Sequence, residues 1–167
     1  EVPGRAVPQA AQEHDQRQVH VGAQRPLPVA PHPPMQLMSV ESLKELDDFF
    51  RSMRQAFNSR DLKTFRSHFW TDKRFQNLDA SGRRDRGWGA FEEVLDQEFR
   101  YLESVKLELK DIDFQVFEDQ FATVVGGWKL TQVDPEGRNH EQNGRCTFAL
   151  CRMSDDWKIV AQHYSQL

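Results

Sequence analysis

Four long strand-like segments separated by very short turns are the feature that most constrains how this sequence folds. They cover residues 105–117, 121–133, 141–153 and 157–165. The turns between them, at residues 118–120, 134–137 and 154–156, are rich in Asp, Glu, Ser, Pro and Gly, as β-turns commonly are. Connections this short join neighbouring antiparallel strands, so the pattern predicts an antiparallel meander.

Helical patterns precede the strands. Ser42 and Glu45 have the spacing of a capping box, and apolar residues then recur every three or four positions to Asn58. Asp61 can cap a short second helix, residues 74–82 suggest a hairpin, and residues 88–102 form a third amphipathic helix. Helices followed by a meander predict an α+β fold, with three N-terminal helices packed on a curved, mainly antiparallel sheet.

The first 34 residues have a different composition from the rest. They contain seven of the eight prolines, whereas all 18 aromatic residues come later. So little apolar side chain cannot offset the entropy lost on folding. We therefore expect residues 1–38 to be a disordered Pro-rich leader, or a non-native read-through upstream of a start at Met35 or Met38. Residues 39–167 are expected to form a single domain.

Charge and composition exclude several classes of function. The net charge of −4 and the lack of a basic cluster argue against nucleic acid as a partner, and no apolar run approaches the ~20 residues of a membrane span. The histidines are scattered without ligand spacing and no dinucleotide or phosphate loop is present, so neither a metal nor a cofactor is expected. Cys146 and Cys151 lie five residues apart in one strand, beyond disulfide reach, which favours reduced thiols and a cytoplasmic location.

Several short motifs, in this order, resemble one family. The markers are Asn58-Ser59-Arg60-Asp61, Gly87 before the third helix, Gly144-Arg145-Cys146-Thr147, and Trp157-Lys158-Ile159-Val160 with His163-Tyr164-Ser165. Together with the order of elements, they resemble the SnoaL-like branch of the nuclear transport factor two-like superfamily, which has a cystatin-like, ketosteroid-isomerase-like fold. The Arg-x-Thr and Trp…His-x-Ser spacings are also similar to the association (hub) domain of calcium/calmodulin-dependent kinase II.

The resemblance implies a cone-shaped fold that hosts enzymes and binding modules alike, so it leaves open whether the chain is an enzyme. The first hypothesis is a protein that binds a small hydrophobic or carboxylate-bearing molecule in its cone, compatible with a cofactor-independent isomerase, cyclase or hydratase. The alternative is a non-catalytic association module like the kinase hub domain. Both hypotheses predict a homodimer or larger oligomer formed through the sheet.

Ketosteroid isomerase chemistry is disfavoured by the residues at two positions. Aligning the turn after the first helix places Met53 where that enzyme has a tyrosine, and Asn77 where it has its aspartate base. A thioether is no useful donor and an amide is no base near neutral pH. Asp79 on the same strand face is a candidate catalytic carboxylate, and the alternative is that it begins the turn at residues 79–82.

Two polar residues in the meander are further candidates. Strict alternation places His163 on the same face of the last strand as Trp157 and Ile159, where it can act as an acid, a base or a ligand donor. Its alternative role is a structural hydrogen bond. Arg145 can bind a ligand carboxylate, or it can pair with Glu108 or Glu103.

The remaining candidates would line one cavity in a fold of this kind. The polar candidates are Asn77 and Tyr101, expected to orient the ligand. The aromatic lining is expected from Trp70, Phe75 and Trp128, although core packing is the commoner use of such residues.

Overall fold

Three helices and a six-stranded sheet form the part of the chain, residues 40–167, that the computed structural model describes. The predicted leader lies outside these residues. The predicted α+β fold is confirmed. Its elements in chain order are α1 Val40–Asn58, α2 Leu62–Arg66, β1 Gln76–Leu78, β2 Arg84–Arg86, α3 Trp88–Tyr101, β3 Ser104–Phe117, β4 Phe121–Val133, β5 Asn139–Met153 and β6 Asp156–Gln166.

The sheet has the order β2-β1-β6-β5-β4-β3. Strands β3 to β6 form the predicted antiparallel meander, and β1 and β2 form a short antiparallel hairpin. The hairpin extends the sheet because β1 pairs with β6 in parallel, which the sequence pattern did not predict. This pairing brings the turn between β1 and β2 to the same end of the sheet as the C-terminal half of β6.

Two β-bulges decide which side chains face the helices. In β3 the register shifts between Lys110 and Asp113, and Asp111 has a φ of 49°. In β6, Ile159 pairs with Leu150 while Ala161 pairs with Ala149, so Val160 is the extra residue. A bulge reverses the alternation of faces beyond it. Ile159 and Gln162, three positions apart, are both buried for this reason.

The core lies between the helices and the concave face of the sheet. A cluster of aromatic rings from α2, the segment between α2 and β1, and α3 fills one part of it, with ring centroids 4.7–6.0 Å apart: Phe65, Phe69, Phe75, Trp88 and Phe91. At the opposite end, Arg152 joins α1 to the turn between β3 and β4. Its guanidinium donates to Glu45 Oε2 at 2.8 Å and to Asp119 Oδ1 at 2.9 Å, and it stacks over Trp157.

The turn after α1 is fixed by three side chains. Asn58 accepts from Leu107 N at 2.7 Å and donates to Leu107 O at 3.2 Å, which joins the end of α1 to β3. Arg60 donates to the carbonyl of Leu102 at the end of α3, and Asp61 caps α2 as predicted by accepting from Thr64 N at 3.0 Å. The capping box predicted at Ser42 is wrong, because α1 already includes Val40 and the Ser42 hydroxyl donates to Asp119.

Candidate functional site

A cavity of about 310 Å³ opens between α3, the β1–β2 turn and the inner face of the sheet. Its apolar wall is formed by three phenylalanines, one tryptophan and small aliphatic residues: Phe57, Phe65, Ala80, Phe91, Leu95, Leu107, Trp128 and Leu130. Its polar lining consists of Asn77, Asp79, Ser81, Arg83, Glu98, Gln132, Gln142, Gln162 and Tyr164. Apolar walls with a few converging polar groups are typical of small-molecule sites.

The bulge at Val160 determines what β6 contributes to this cavity. Beyond the bulge, Gln162 and Tyr164 point inward and line the cavity, whereas His163 is exposed on the outer face. The predicted strict alternation of Trp157, Ile159, Ala161 and His163 on one face is therefore wrong after Ile159, since the extra residue exchanges the two faces.

Three buried side chains, one carboxylate and two amides, form a hydrogen-bonded chain that runs from β2 through β1 to β6 across the floor of the cavity. Asn77 Nδ2 donates to Asp85 Oδ2 at 2.8 Å, and Gln162 Nε2 donates to Asn77 Oδ1 at 2.9 Å. Exposed fractions of 2 % for Asn77, 6 % for Gln162 and 7 % for Asp85 show that this chain is enclosed by protein. Buried polar groups need such partners, so each of the three side chains holds the next in place.

The guanidinium of Arg83 lies between two carboxylates. Its Nη2 is 3.1 Å from Asp79 Oδ2, and its Nε is 3.3 Å from Asp85 Oδ1. The other oxygen of Asp79 accepts from the backbone of Ser81 and Arg83 and from the Ser81 hydroxyl. Asp79 thus holds the turn together, as its alternative interpretation requires, while also lining the cavity. Because two acids surround Arg83, its charge is already balanced within the protein.

Glu98 is a titratable side chain of the cavity that lacks a bonded partner in the described part of the chain. It projects from α3 into the mouth, and it forms no hydrogen bond or ion pair through its side chain with the other residues that the structure describes. Desolvation raises the pKa of its carboxyl; Asp79 and Asp85 raise it further, while Arg83 opposes them. A carboxyl with a raised pKa and no bonded partner is suited to exchange a proton with a bound molecule.

Tyr164 contributes a hydroxyl to the same cavity. Its ring packs edge-on against Trp128 and Phe148, with centroids 5.6 and 5.7 Å away. Within residues 40–167 its hydroxyl has no hydrogen-bond partner, and burial raises its pKa well above the usual range. The hydroxyl therefore stays protonated and is free to donate to a ligand.

Trp128 forms the wall below Tyr164, and its position depends on Gly144. The indole Nε1 donates to the carbonyls of Arg145 at 3.0 Å and Ser165 at 3.2 Å. A side-chain carbon on Gly144 would overlap the Ser165 carbonyl oxygen and lie 2.9 Å from the indole nitrogen. A glycine is needed here because backbone and indole approach closely.

The structure brings together only some of the residues predicted for the site. Asn77, Asp79 and Trp128 line the cavity. Phe75 lies beside it in the aromatic core with no exposed surface, and Trp70 is stacked under Arg74 at 4.6 Å. Tyr101 is 57 % exposed at the end of α3, outside the cavity lining.

Arg145 and His163 lie together on the opposite face of the sheet. His163 pairs in register with Thr147 and Leu78, and Arg145 pairs with Ser165, so both side chains are exposed and separated from the cavity by the sheet. Arg145 forms no ion pair with any described residue, and Glu108 pairs instead with Lys106. Neither residue can touch a molecule held inside the cone.

Seven polar residues of the cavity were not predicted from the sequence: Ser81, Arg83, Glu98, Gln132, Gln142, Gln162 and Tyr164. Glu98 could have been found, because it lies three residues after Leu95 and seven after Phe91, which makes it a charge on the apolar face of α3. Gln162 and Tyr164 were hidden by the bulge. Arg83 required knowledge of the parallel β1–β6 pairing that places its turn at the cavity.

Other kinds of site find no support in the part of the chain that the structure covers. No group of three or more His, Cys, Asp or Glu side chains within residues 40–167 is placed to hold a metal ion. No helix in this range is long and apolar enough to cross a membrane. Cys146 and Cys151 are both free thiols, as predicted, and burial raises the pKa of Cys146 to about 11.

Three helices on the concave face of a mainly antiparallel sheet, enclosing a cavity, define the class of cystatin-like α+β cones. Within it, the chain belongs to the SnoaL-like domain family, whose sequence pattern matches residues 46–167. None of the curated proteins compared with it matches.

Solved structures agree with this fold. A nuclear transport factor 2 (NTF2-like) superfamily protein from Salmonella enterica serovar Typhimurium is 18 % identical, with a TM-score of 0.69 over 75 % of this chain and 91 % of its own. A proposed dehydratase of the NTF2-like family from Streptomyces avermitilis is 16 % identical, with a TM-score of 0.68 over 76 % of this chain and 97 % of its own. A proposed calcium/calmodulin dependent protein kinase II association domain from Xanthomonas campestris is 17 % identical, with a TM-score of 0.65 over 74 % and 86 %.

Proposed function

We propose that this protein binds a small, largely hydrophobic molecule in the cavity of its cone. The observation that carries the proposal is the cavity itself, about 310 Å³ of space with aromatic walls and polar groups at its floor and mouth. This volume is at the lower end of the range of small-molecule pockets. A ligand of one or two rings would fit, with its apolar part against Phe65, Phe91 and Trp128.

The charges around the cavity favour a ligand without a carboxylate. Arg83 is the cavity's only cationic side chain among the described residues that line it, and Asp79 and Asp85 already balance its charge. Glu98 adds a third acid at the mouth. A ligand carboxylate would meet more acids than bases there, so the carboxylate-bearing ligand expected from Arg145 has less support than a neutral hydrophobic one.

If the protein acts on its ligand, the chemistry with most support is proton transfer by an isomerase, cyclase or hydratase. Glu98 combines a raised pKa with an unpartnered carboxyl, and the Tyr164 hydroxyl can donate to an oxygen that gains charge. A neighbour described as a proposed dehydratase is consistent with such chemistry. Asp79 is the weaker candidate because its oxygens are held by the turn.

Binding can be tested with cavity and surface variants of the same sheet. We would screen the chain by thermal shift against two-ring phenols and small polyketide-like ketones. Leu130→Trp fills the cavity from β4 and should abolish the shift, while Arg145→Ala and His163→Ala, on the outer face, should keep it. Loss of binding in the outer-face variants, with Leu130→Trp unaffected, would place the site outside the cone and contradict the proposal.

We also propose that the outer sheet face forms a homodimer, which is the basis of the association-module alternative. Val125 is 46 % exposed on this face and pairs with Thr147 of β5. Two residues further along β5, Ala149 pairs with Ala161 of β6. We take this strip as the surface through which two copies pack. The neighbour described as a proposed kinase association domain supports the same surface role.

Light scattering after size-exclusion chromatography tests the association. The wild type should have the mass of a dimer or larger oligomer, and Val125→Glu should shift it to the monomer. Lys110→Gln, on the edge strand β3, lowers the net charge by one as Val125→Glu does, and it should leave the assembly intact. A monomeric wild type would rule out the hub-like alternative. We propose a cytoplasmic location because both described cysteines are free thiols.

A further inference from the structure

The hydrogen bonds below the cavity all donate toward Asp85: Gln162 donates to Asn77, and Asn77 donates to Asp85. Asp85 imposes this order. An ionised carboxylate accepts hydrogen bonds and cannot donate them. Asn77 must therefore turn its Nδ2 toward Asp85, which is 2.8 Å away, and its Oδ1 away from it. Arg83 balances the charge of Asp85 from the other side, with Nε 3.3 Å from Oδ1, and so lets the carboxylate remain in a buried position.

The orientation of Asn77 then fixes that of Gln162. Asn77 Oδ1 can only accept, so Gln162 turns its Nε2 toward it, at 2.9 Å. The Oε1 of Gln162 is left pointing elsewhere, and no described residue donates to it. Gln162 is 6 % exposed and lines the cavity. Oε1 is not one of the fully enclosed side-chain atoms that lack a partner among the described residues, so it is open to the cavity, where a ligand or water can donate to it.

Other polar groups of the cavity do not have this fixed direction. The hydroxyl of Tyr164 rotates, and the side chains of Gln132 and Gln142 have no partners among the described residues that would hold them one way round. These groups can adapt to a donor or an acceptor on the ligand. Among the glutamines that line the cavity, Gln162 alone has its polarity set by a buried chain of the described residues.

We propose that Asp85, acting through Asn77, makes Gln162 Oε1 a fixed acceptor, so that the cavity selects aromatic or alicyclic molecules carrying a hydroxyl or N–H donor over otherwise equal molecules that only accept. Gln162 contacts the ligand, and Asp85 and Asn77 are positioning residues. The inference rests on the proposed function, since it specifies which small hydrophobic molecule the cavity takes.

The test compares two probes of the same skeleton. 2-Naphthol has a hydroxyl donor, whereas 2-methoxynaphthalene has an oxygen that only accepts. Calorimetric titration of the 167-residue chain should give an affinity about fivefold higher for 2-naphthol, the factor expected for one net hydrogen bond. Gln162→Met, similar in length but without the amide, should reduce this ratio to within about twofold.

Asp85→Asn tests the origin of the polarity. The new amide can donate as well as accept, so Asn77 and Gln162 are free to reverse, and the ratio should also fall to within about twofold. His163→Ala, next to Gln162 on the outer face, should keep the full ratio. If Asp85→Asn does not fold, the wild-type side-chain amide spectrum decides, because donation to a carboxylate should shift one Asn77 amide proton downfield and protect it from exchange. An Asn77 amide pair with neither property would overturn the role of Asp85.

The outcomes separate this inference from the function on which it rests. Equal affinity of the wild type for both probes, or an unchanged ratio in Gln162→Met, overturns the fixed acceptor while cavity binding stands. Failure of both probes to bind, together with no response in the thermal-shift screen, overturns the proposed cavity function itself.

Discussion

At the scale of single residues, polar side chains in this protein hold elements at fixed positions and leave only a few groups free. Asn58 bonds both backbone groups of Leu107, and Arg60 bonds the end of α3. These contacts give a physical reason for the Asn58-Ser59-Arg60-Asp61 motif, which is structural. The side chains of Glu98 and Tyr164 form no hydrogen bond with the described residues, and both line the cavity.

Glu98 should therefore make stability depend on pH in a particular direction. Its folded-state pKa is raised above the ordinary value of 4.5, so the folded protein holds this proton more tightly than the unfolded chain. The stability it contributes is complete below pH 4.5 and is lost as the pH rises through the folded-state pKa. Glu98→Gln removes the charge, so its Tm should exceed that of the wild type at pH 8 and approach it at pH 4.

Thermal unfolding between pH 4 and pH 8 measures this difference. Glu93→Gln removes a charge from the exposed side of the same helix and is the matched control. A Tm difference that is the same at both pH values for Glu98→Gln would contradict the assigned desolvation of this carboxyl.

At the scale of elements, the strands were predictable and their irregularities were not. The four long strands lie within two residues of their predicted limits, because alternation and turn residues are local signals. The bulge at Val160 occurs within three consecutive apolar residues, Ile159 to Ala161, where alternation does not define a face. The parallel β1–β6 pairing depends on tertiary contacts of a three-residue strand, which no local pattern encodes.

These two irregularities explain which parts of the site could be foreseen. Asn77 lies in β1 and Trp128 in β4, so the bulge of β6 does not affect them. Both line the cavity, as predicted. The prediction for His163 rested on an alternation that the bulge reverses. The prediction for Arg145 rested on the chemistry of its guanidinium, which does not say which face of the sheet the residue occupies. Beyond a bulge, the alternation of apolar and polar residues no longer tells which face of the sheet a side chain occupies.

The closeness of β5 and β6 at Gly144 gives a prediction for this part of the sheet. Gly144→Ala would press a methyl group against the Ser165 carbonyl and the Trp128 indole, so the strands must separate. Overpacking of this kind costs about 2 kcal/mol or more, which corresponds to a Tm lower by roughly 5–10 °C. The measurement is thermal unfolding of the variant beside the wild type.

Gly127→Ala is the control for this substitution. Its nearest neighbour would be the Lys110 carbonyl oxygen at 3.6 Å, an ordinary contact, so its Tm should change little. Equal effects of the two substitutions would show that the close approach at Gly144 does not limit stability.

At the scale of the whole molecule, the core that the structure describes lies in the region that carries the aromatic residues. The buried apolar residues of the described core extend from Leu46 to Ile159, and the family pattern begins at residue 46. We therefore expect a chain that starts at Met38 to unfold within about 2 °C of the 167-residue chain. A large loss of Tm in this truncated chain would show that the preceding residues take part in the fold.

Trp128 gives the molecule a built-in optical reporter. Its indole faces the cavity while its N–H is bound to the backbone, whereas Trp88 and Trp157 are buried in other parts of the core. A molecule that enters the cone would change the polarity around one side of this ring without altering its hydrogen bonds. Occupancy of the cavity should thus be visible as a shift in tryptophan emission, in unlabelled protein and before any ligand has been identified.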